Sequence, residues 1–232
     1  MTSKDVDDVL TRGADSVVPR DGDRAAVERA KQAILGSLTP VRPMAPVWVF
    51  TVAFMILFAV VALASGMMLG MYGLDALSGT ERAIVFSVVI AAAALAALAG
   101  AREMRPAGGR RLGTWVLAAA AIALLAAFVL LFHDYSMEKF VKQGVACLRA
   151  GLLFAVAAAV MISLVFVRGY VLNPRAAGVA AGTLAGIAGI GALELHCPNV
   201  KAMHVMVWHL AVVVLSGLAG LSIGSVFAKL RR

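Results

Sequence analysis

The residues with the greatest chemical reach in this chain lie in one short stretch, ELHCPNVKAMHVMVWHL, at positions 194–210. It holds Cys197, one of only two cysteines, and three of the four histidines, His196, His204 and His209. Thiols and imidazoles bind soft metal ions, and thiols also undergo reversible oxidation. The proline directly after the cysteine ends a helix, which predicts a tight bend with Cys197 on it. The stretch therefore indicates either a sensing site or a loop whose cysteine and histidines only pack.

The second cysteine, Cys147, lies just before the fourth long apolar segment of the chain. Two thiols can form a disulfide where their Cα atoms come within about 7 Å, and thiols with histidines can bind a soft metal ion. The candidate sensing residues are Cys147 and Cys197, and the candidate metal ligands are these two with His196 and His204. His204 and His209 point about 140° apart on an α-helix, which suits neither one shared metal ion nor a haem. The alternative that the two thiols never meet stays open.

The elements that position these residues are membrane-spanning helices. Of the 232 residues, 62% are hydrophobic and the mean hydropathy is +0.92, whereas a soluble domain is about half apolar. A bilayer core of roughly 30 Å needs about 20 helical residues to cross it. Six segments meet or approach this length, at 47–71, 83–101, 112–132, 150–167, 176–193 and 202–228. The sequence predicts an all-α integral membrane bundle of six transmembrane helices over residues 47–232.

The basic residues predict how this bundle is oriented. Cytoplasmic loops collect Lys and Arg, and of the 21 in the chain 16 fall on the side of both termini and 5 on the other. Both termini are therefore expected in the cytoplasm, with Cys147 and Cys197 on the same outer face. The net charge of +8 follows from this distribution, and it indicates no nucleic-acid partner because no aromatic residues are interleaved with the basic ones.

Residues 1–46 are polar and form the part of the chain large enough to meet a soluble partner. They contain two short amphipathic helical patterns. In the second, Val27, Ile34 and Leu38 lie along one helix face, with Leu35 beside them. Two helices of this size are too short to bury a core of their own. The sequence therefore predicts a cytoplasmic tail whose apolar stripe is either loosely ordered or covered by another protein.

Glycines and other small residues recur at four-residue spacing in the fifth and sixth predicted spans. Such spacing lets helices approach closely in lipid, so these two spans are expected to pack together, with a dimerisation face as the alternative. No Asp, Glu, Lys or Arg lies inside the core of any predicted span, whereas ion-coupled transporters place and pair such groups there. A transporter is therefore disfavoured, except one for a neutral small solute.

Several of these features together resemble one protein family. The entry TPVRPMAP at 39–46, the lone Cys147 at the head of the fourth span and HCPNVKAMHVMVWH at 196–209 are similar to the NrsF family. Its members, negative regulators of sigma F, are small six-span membrane anti-sigma factors. The resemblance covers about residue 38 to the end. It implies an extracytoplasmic-function sigma factor as partner, held at a bacterial inner membrane and released when Cys147 and Cys197 sense a stress.

The favoured interpretation is a signalling protein without catalysis, whose tail sequesters the sigma factor through its apolar stripe. The main alternative is a membrane thiol oxidoreductase that passes electrons from Cys147 and Cys197 to a quinone, and a small-solute transporter is the third. Thiol oxidoreductases usually need a low-pKa thiol with a neighbouring resolving cysteine, and the chain has no second cysteine pair for a relay. The expected partners are the sigma factor and the bilayer. No cofactor is expected other than a soft metal ion at the outer face.

Overall fold

The computed structural model of the chain describes residues 21–37, 44–105 and 115–230, and every regular element in these ranges is helical. The elements are α1 (Asp21–Ser37), α2 (Val47–Leu69), α3 (Tyr72–Ala76), α4 (Gly79–Glu103), α5 (Trp115–Leu131), α6 (Phe140–Phe166), α7 (Pro174–His196), α8 (Ala202–His204), a π-helix (Val205–His209) and α9 (Leu210–Leu230). The predicted all-α fold is confirmed. The chain divides into two compact units, residues 1–43 and 44–232.

Five stretches of the described chain are long and apolar enough to cross a membrane: α2, α4, α6, α7 and the run Ala202–Leu230. α5 is equally apolar but has 17 residues. Each of the six overlaps one predicted span, and they make this a multi-pass membrane protein. The largest difference is at α6, which begins at Phe140 instead of residue 150. Cys147 therefore lies inside a helix and not in the loop before it. Charged residues in the first turns of α6 lower the local hydropathy, so an apolar-run criterion places the start of the helix too late.

Local signals in the sequence set several helix ends. At the start of α4, Ser78 Oγ accepts a hydrogen bond from Glu81 N at 3.3 Å, and Ser78 N donates to Glu81 Oε2 at 2.8 Å. This reciprocal capping box satisfies two backbone donors that the first turn leaves free. At the start of α7, Pro174 occupies the first turn and Asn173 Oδ1 accepts from Ala176 N at 3.3 Å.

Successive long helices run in opposite directions, so that the connections gather at two ends of the bundle. One end, which we call the rim, consists of the connections 70–78, 132–139 and 197–201. There, Ala202 N donates a hydrogen bond to Asp134 O at 2.7 Å. At the opposite end, Tyr170 N donates to Met104 O at 2.9 Å. A Cβ atom added to Gly73 would lie 3.0 Å from the carbonyl oxygen of Cys197, so the connection 70–78 also reaches this part of the rim.

α7 is the central helix of the bundle, because it contacts α2, α4, α6 and α9 and most of its residues are buried. Its closest packing is with α9. A Cβ atom added to Gly178 would meet the carbonyl oxygen of Gly220, and one added to Gly182 would meet that of Ser216. Only small residues allow backbones to approach this closely. The predicted packing of the fifth span on the sixth is confirmed.

α1 belongs to the other compact unit and carries part of the predicted apolar stripe. Val27 is 53% exposed and Leu35 is 52% exposed. The side chain of Ile34, the whole of Leu38 and the first of the two predicted tail helices lie outside the described residues. Within α1, the apolar side chains that the structure describes are therefore open to solvent.

Candidate thiol and imidazole site

The bend after α7 places Cys197 at the rim. Pro198 cannot continue a helix and restricts the residue before it, so α7 ends at His196 and Cys197 is extended, with φ −80° and ψ 113°. Asn199 Oδ1 then accepts a hydrogen bond from Lys201 N at 3.1 Å, which closes the turn that leads into α8. The predicted bend with a cysteine on it is confirmed.

The two cysteines meet across the rim. Cys147, in the first turns of α6, has its Sγ 3.4 Å from Cys197 Sγ, and both are free thiols. The hydrogen bond to Cys147, and after it burial, raises the pKa of the Cys197 thiol. Either sulfur can be the donor in this contact. Two thiols in contact can be joined by oxidation or bridged by a metal ion.

Two histidines lie beside these thiols. His204 Nε2 is 3.5 Å from Cys197 Sγ, and the ring centroid of His209 is 5.2 Å from that of His204. The expectation that His204 and His209 point about 140° apart is wrong, because it assumed an α-helix. The π-helix over Val205–His209 has its hydrogen bonds from residue i to i+5, which brings residues five apart onto the same side.

Together these residues form a compact cluster of metal-ligating groups. One ligand atom from each of four side chains lies within 4.8 Å of the others: Cys147, Cys197, His204 and His209. Two thiols and two imidazoles are the donor set of tetrahedral zinc sites. His196 is outside the cluster, since its Nδ1 lies 3.3 Å from Gly70 O and its ring meets that of Tyr72 edge-on. Three of the four candidate metal ligands are thus adjacent, and His209 joins them.

A buried carboxylate stands behind the cluster. Glu194 lies in the last turn of α7 with only 4% of its surface exposed, and its Oε1 is 2.7 Å from His209 Nδ1. The expectation that the spans hold no acidic side chain is wrong here, because α7 continues three residues beyond the predicted end. Glu194 and His209 are on different helices, so no local pattern predicts their contact. The pairing of Glu194 with His209 is therefore the part of the site that sequence patterns do not predict.

Aromatic and polar side chains cover the site at the rim. The indole of Trp208 packs on Gly144, where any Cβ atom would overlap it, and its ring centroid is 5.4 Å from that of Phe140. Asn199 Nδ2 donates a hydrogen bond to Gln143 Oε1 at 2.8 Å. These contacts tie the start of α6 to the segment that follows α7.

An apolar layer closes the site on its other side. Ala155, Leu193 and Val212 are each almost fully buried and form one cluster, against which Cys147 packs. The thiols and histidines therefore lie between this layer and the rim.

The fold and the site define a helical multi-pass membrane protein with a paired-thiol cluster at one end. The chain belongs to the family of negative regulators of sigma F, whose family model matches residues 36–229. This match confirms the resemblance carried by the proline-rich entry, Cys147 and the segment 196–209. No curated protein and no solved structure matches the chain significantly. The family description indicates a regulatory role directed at a sigma factor.

Proposed function

We propose that this chain is a membrane-bound anti-sigma factor without catalytic activity. It holds an extracytoplasmic-function sigma factor at the bacterial inner membrane and releases it when Cys147 and Cys197 change their bonding state. Membership of the family of negative regulators of sigma F supports the sigma partner. The single observation that supports the sensing role is the 3.4 Å between the two sulfurs, since thiols this close need little movement to become bonded.

Oxidation is the first signal that such a site can read. A peroxide takes two electrons and two protons from the two thiols, becomes two molecules of water and leaves a Cys147–Cys197 disulfide. The cysteines are 50 residues apart, and closing a loop of that length constrains the unfolded chain by about 4 kcal/mol in the entropy model. In the folded bundle the new bond would join α6 to the bend after α7 and exclude any arrangement in which the two sulfurs lie apart.

A soft or borderline metal ion is the second signal. The thiols lose their protons and bind as thiolates, and the neighbouring histidines supply further ligands. Oxidation and metal binding therefore act on the same two sulfurs. Either one replaces a hydrogen-bonded thiol pair with a bridge between α6 and the bend.

The packing of α7 on α9 supports transmission of this change to the opposite end. Because the backbones of Gly182 and Ser216 approach closely, a shift of one helix is expected to be passed to the other. The far ends of α6 and α7 carry Arg168 and Arg175 at the connection between them. In the proposed orientation this connection faces the cytoplasm, where the sigma factor is held.

The proposed function is tested by co-purification. The protein and its sigma factor, expressed together and extracted in mild detergent, are expected to co-purify, and the amount of bound sigma factor should change after a thiol oxidant or Zn²⁺ is added. The matched control for a cysteine-to-serine variant is Ala146→Ser, which adds a hydroxyl next to Cys147 on an exposed position and should respond as the wild type does. If no sigma factor is retained and the purified protein instead reduces a quinone, the thiol oxidoreductase is correct.

The proposed orientation gives a topology prediction. Reporter fusions after Arg232 and within 132–139 are expected to lie on opposite sides of the membrane, because 16 of the 21 basic residues fall on the side of the termini. A fusion within 167–173 serves as the control and should match the one after Arg232. If the fusions after Arg232 and within 132–139 report the same side, the rim does not face outwards and the proposed signal route is wrong.

A further inference from the structure

The contact between Glu194 and His209 is the feature that goes beyond a pair of sensing thiols. The side chains are 5% and 1% exposed, and the distance from Oε1 to Nδ1 is 2.7 Å. A carboxylate is costly to bury unless a charged or hydrogen-bonding partner compensates it. His209 is that partner, and the bond fixes the orientation of the imidazole ring.

This bond decides which nitrogen of His209 faces the thiols. An ionised carboxylate only accepts hydrogen bonds, so Nδ1 carries the proton and donates it to Glu194. Nε2 is left on the opposite side of the ring, buried and with no hydrogen-bond partner among the described residues. His204 Nδ1 is likewise buried without such a partner there. The unused Nε2 of His209 is therefore free to bind an ion, whereas in His204 the nitrogen beside Cys197 Sγ is Nε2 and the unused one is Nδ1.

Two of the separations in the cluster are close to those of four-coordinate geometry, and all four ligand atoms lie within 4.8 Å of one another. With Zn–S bonds of about 2.3 Å and Zn–N bonds of about 2.0 Å, tetrahedral ligand atoms lie about 3.3 to 3.8 Å apart. The two sulfurs are 3.4 Å apart, and His204 Nε2 is 3.5 Å from Cys197 Sγ. A site of two thiolates alone suits a linear monovalent ion, whereas two thiolates with two imidazoles complete a tetrahedron.

The charge of the site also favours a divalent ion. Two thiolates neutralise a divalent cation, and Glu194 leaves the buried site with one net negative charge. A monovalent cation would leave two net negative charges, and these cost more free energy to bury in the low-dielectric interior of the protein. The number of ligands and the charge of the site therefore both favour a divalent ion.

We propose that Glu194 is a positioning residue that holds His209 as the fourth ligand of a tetrahedral site for a divalent d¹⁰ ion, Zn²⁺ or Cd²⁺. The inference rests on the proposed function, because the ion would bind at the same two thiols that sense the signal. A carboxylate that orients a ligating histidine is a general device of metal sites, and its loss typically weakens metal binding about 10- to 100-fold.

The test uses the purified, reduced full-length protein titrated with Co²⁺, followed by displacement with Zn²⁺. Tetrahedral Co²⁺ with thiolate ligands has strong visible absorption, which reports both affinity and geometry. Glu194→Ala is expected to weaken Co²⁺ binding about 10- to 100-fold and to lose the tetrahedral spectrum. Glu194→Gln, whose amide oxygen can still accept from Nδ1, should restore the spectrum, and Glu138→Ala at the exposed rim should bind as the wild type does.

A second measurement keeps this test independent of folding. Disulfide formation between Cys147 and Cys197 on oxidation shows that the rim is assembled in each variant. Should Glu194→Ala prevent assembly, His209→Ala gives the same comparison with the same expected loss.

Two results would overturn the inference. Wild-type Co²⁺ affinity and spectrum in both Glu194→Ala and His209→Ala would show that neither residue takes part in binding the ion. Uptake of Cu⁺ but not of Co²⁺ or Zn²⁺ would do the same. In either case thiol-dependent release of the sigma factor would leave the proposed function standing. Conversely, Glu194-dependent Co²⁺ binding without any effect on sigma release would contradict the proposed function alone.

Discussion

Replacing Cys147 with serine is expected to fix expression of the sigma factor's target genes at one level, whatever the concentration of oxidant or metal. Serine fills the same space but forms neither a disulfide nor a thiolate bridge, so the 3.4 Å contact with Cys197 can no longer become a bond. Cys197→Ser removes the other half of the same bond and should give the same fixed level. A target-gene reporter, measured with and without the inducer, records the effect.

The double variant distinguishes a switch from two independent packing positions. If one bond is the switch, Cys147→Ser combined with Cys197→Ser should behave like either single variant, because the second change has nothing further to remove. Ala146→Ser should respond as the wild type does. Additive partial effects, or a normal response in either cysteine variant, would show that the thiols only pack.

Introducing acidic residues into the apolar stripe of α1 is expected to free the sigma factor and make its target genes constitutively active. Val27 and Leu35 are 53% and 52% exposed, and their apolar surface is available to a partner. Val27→Asp with Leu35→Asp places two charges in a contact that the partner would bury, which costs several kcal/mol. Ile34→Asp with Leu38→Asp should act in the same way. Co-purification of the sigma factor from membranes measures the loss directly.

A matched control separates the stripe from the charge of the tail. Ala33→Asp introduces an acidic group on an exposed position about 120° around the helix from Val27 and about 160° from Leu35, and it should leave sigma binding intact. Undiminished co-purification with the doubly substituted tails would rule out the stripe as the docking surface. Release by Ala33→Asp alone would mean that the net charge of the tail, and not apolar contact, holds the partner.

The features predicted correctly depend on short-range properties of the chain. Hydropathy alone locates the six apolar helices, Pro198 dictates the bend at Cys197, and glycine spacing predicts the packing of α7 on α9. The start of α6 was misplaced because Lys142 and Arg149 lie in helical turns near the rim, where water is within reach.

The features that the sequence did not reveal depend on contacts between helices or on rare backbone geometry. Glu194 meets His209 only because the end of α7 packs beside α9 and the π-helix before it. His204 and His209 converge only because the backbone departs from the α-helical repeat over five residues, and no side-chain pattern in that stretch signals the departure. Periodicity assumes one repeat, so it assigned these residues to different sides.

The π-helix makes the site depend on the length of the chain as well as on its residue types. A π-helical turn is equivalent to an α-helix that has accommodated one inserted residue. Removing any single residue between His204 and His209 would let the helix return to the ordinary repeat while leaving every ligand present. His204 and His209 would then be four residues apart on an α-helix, on one face but without the π-helical widening that sets their present spacing. The spacing of the two imidazole rings is thus set by the number of residues between them as well as by their types.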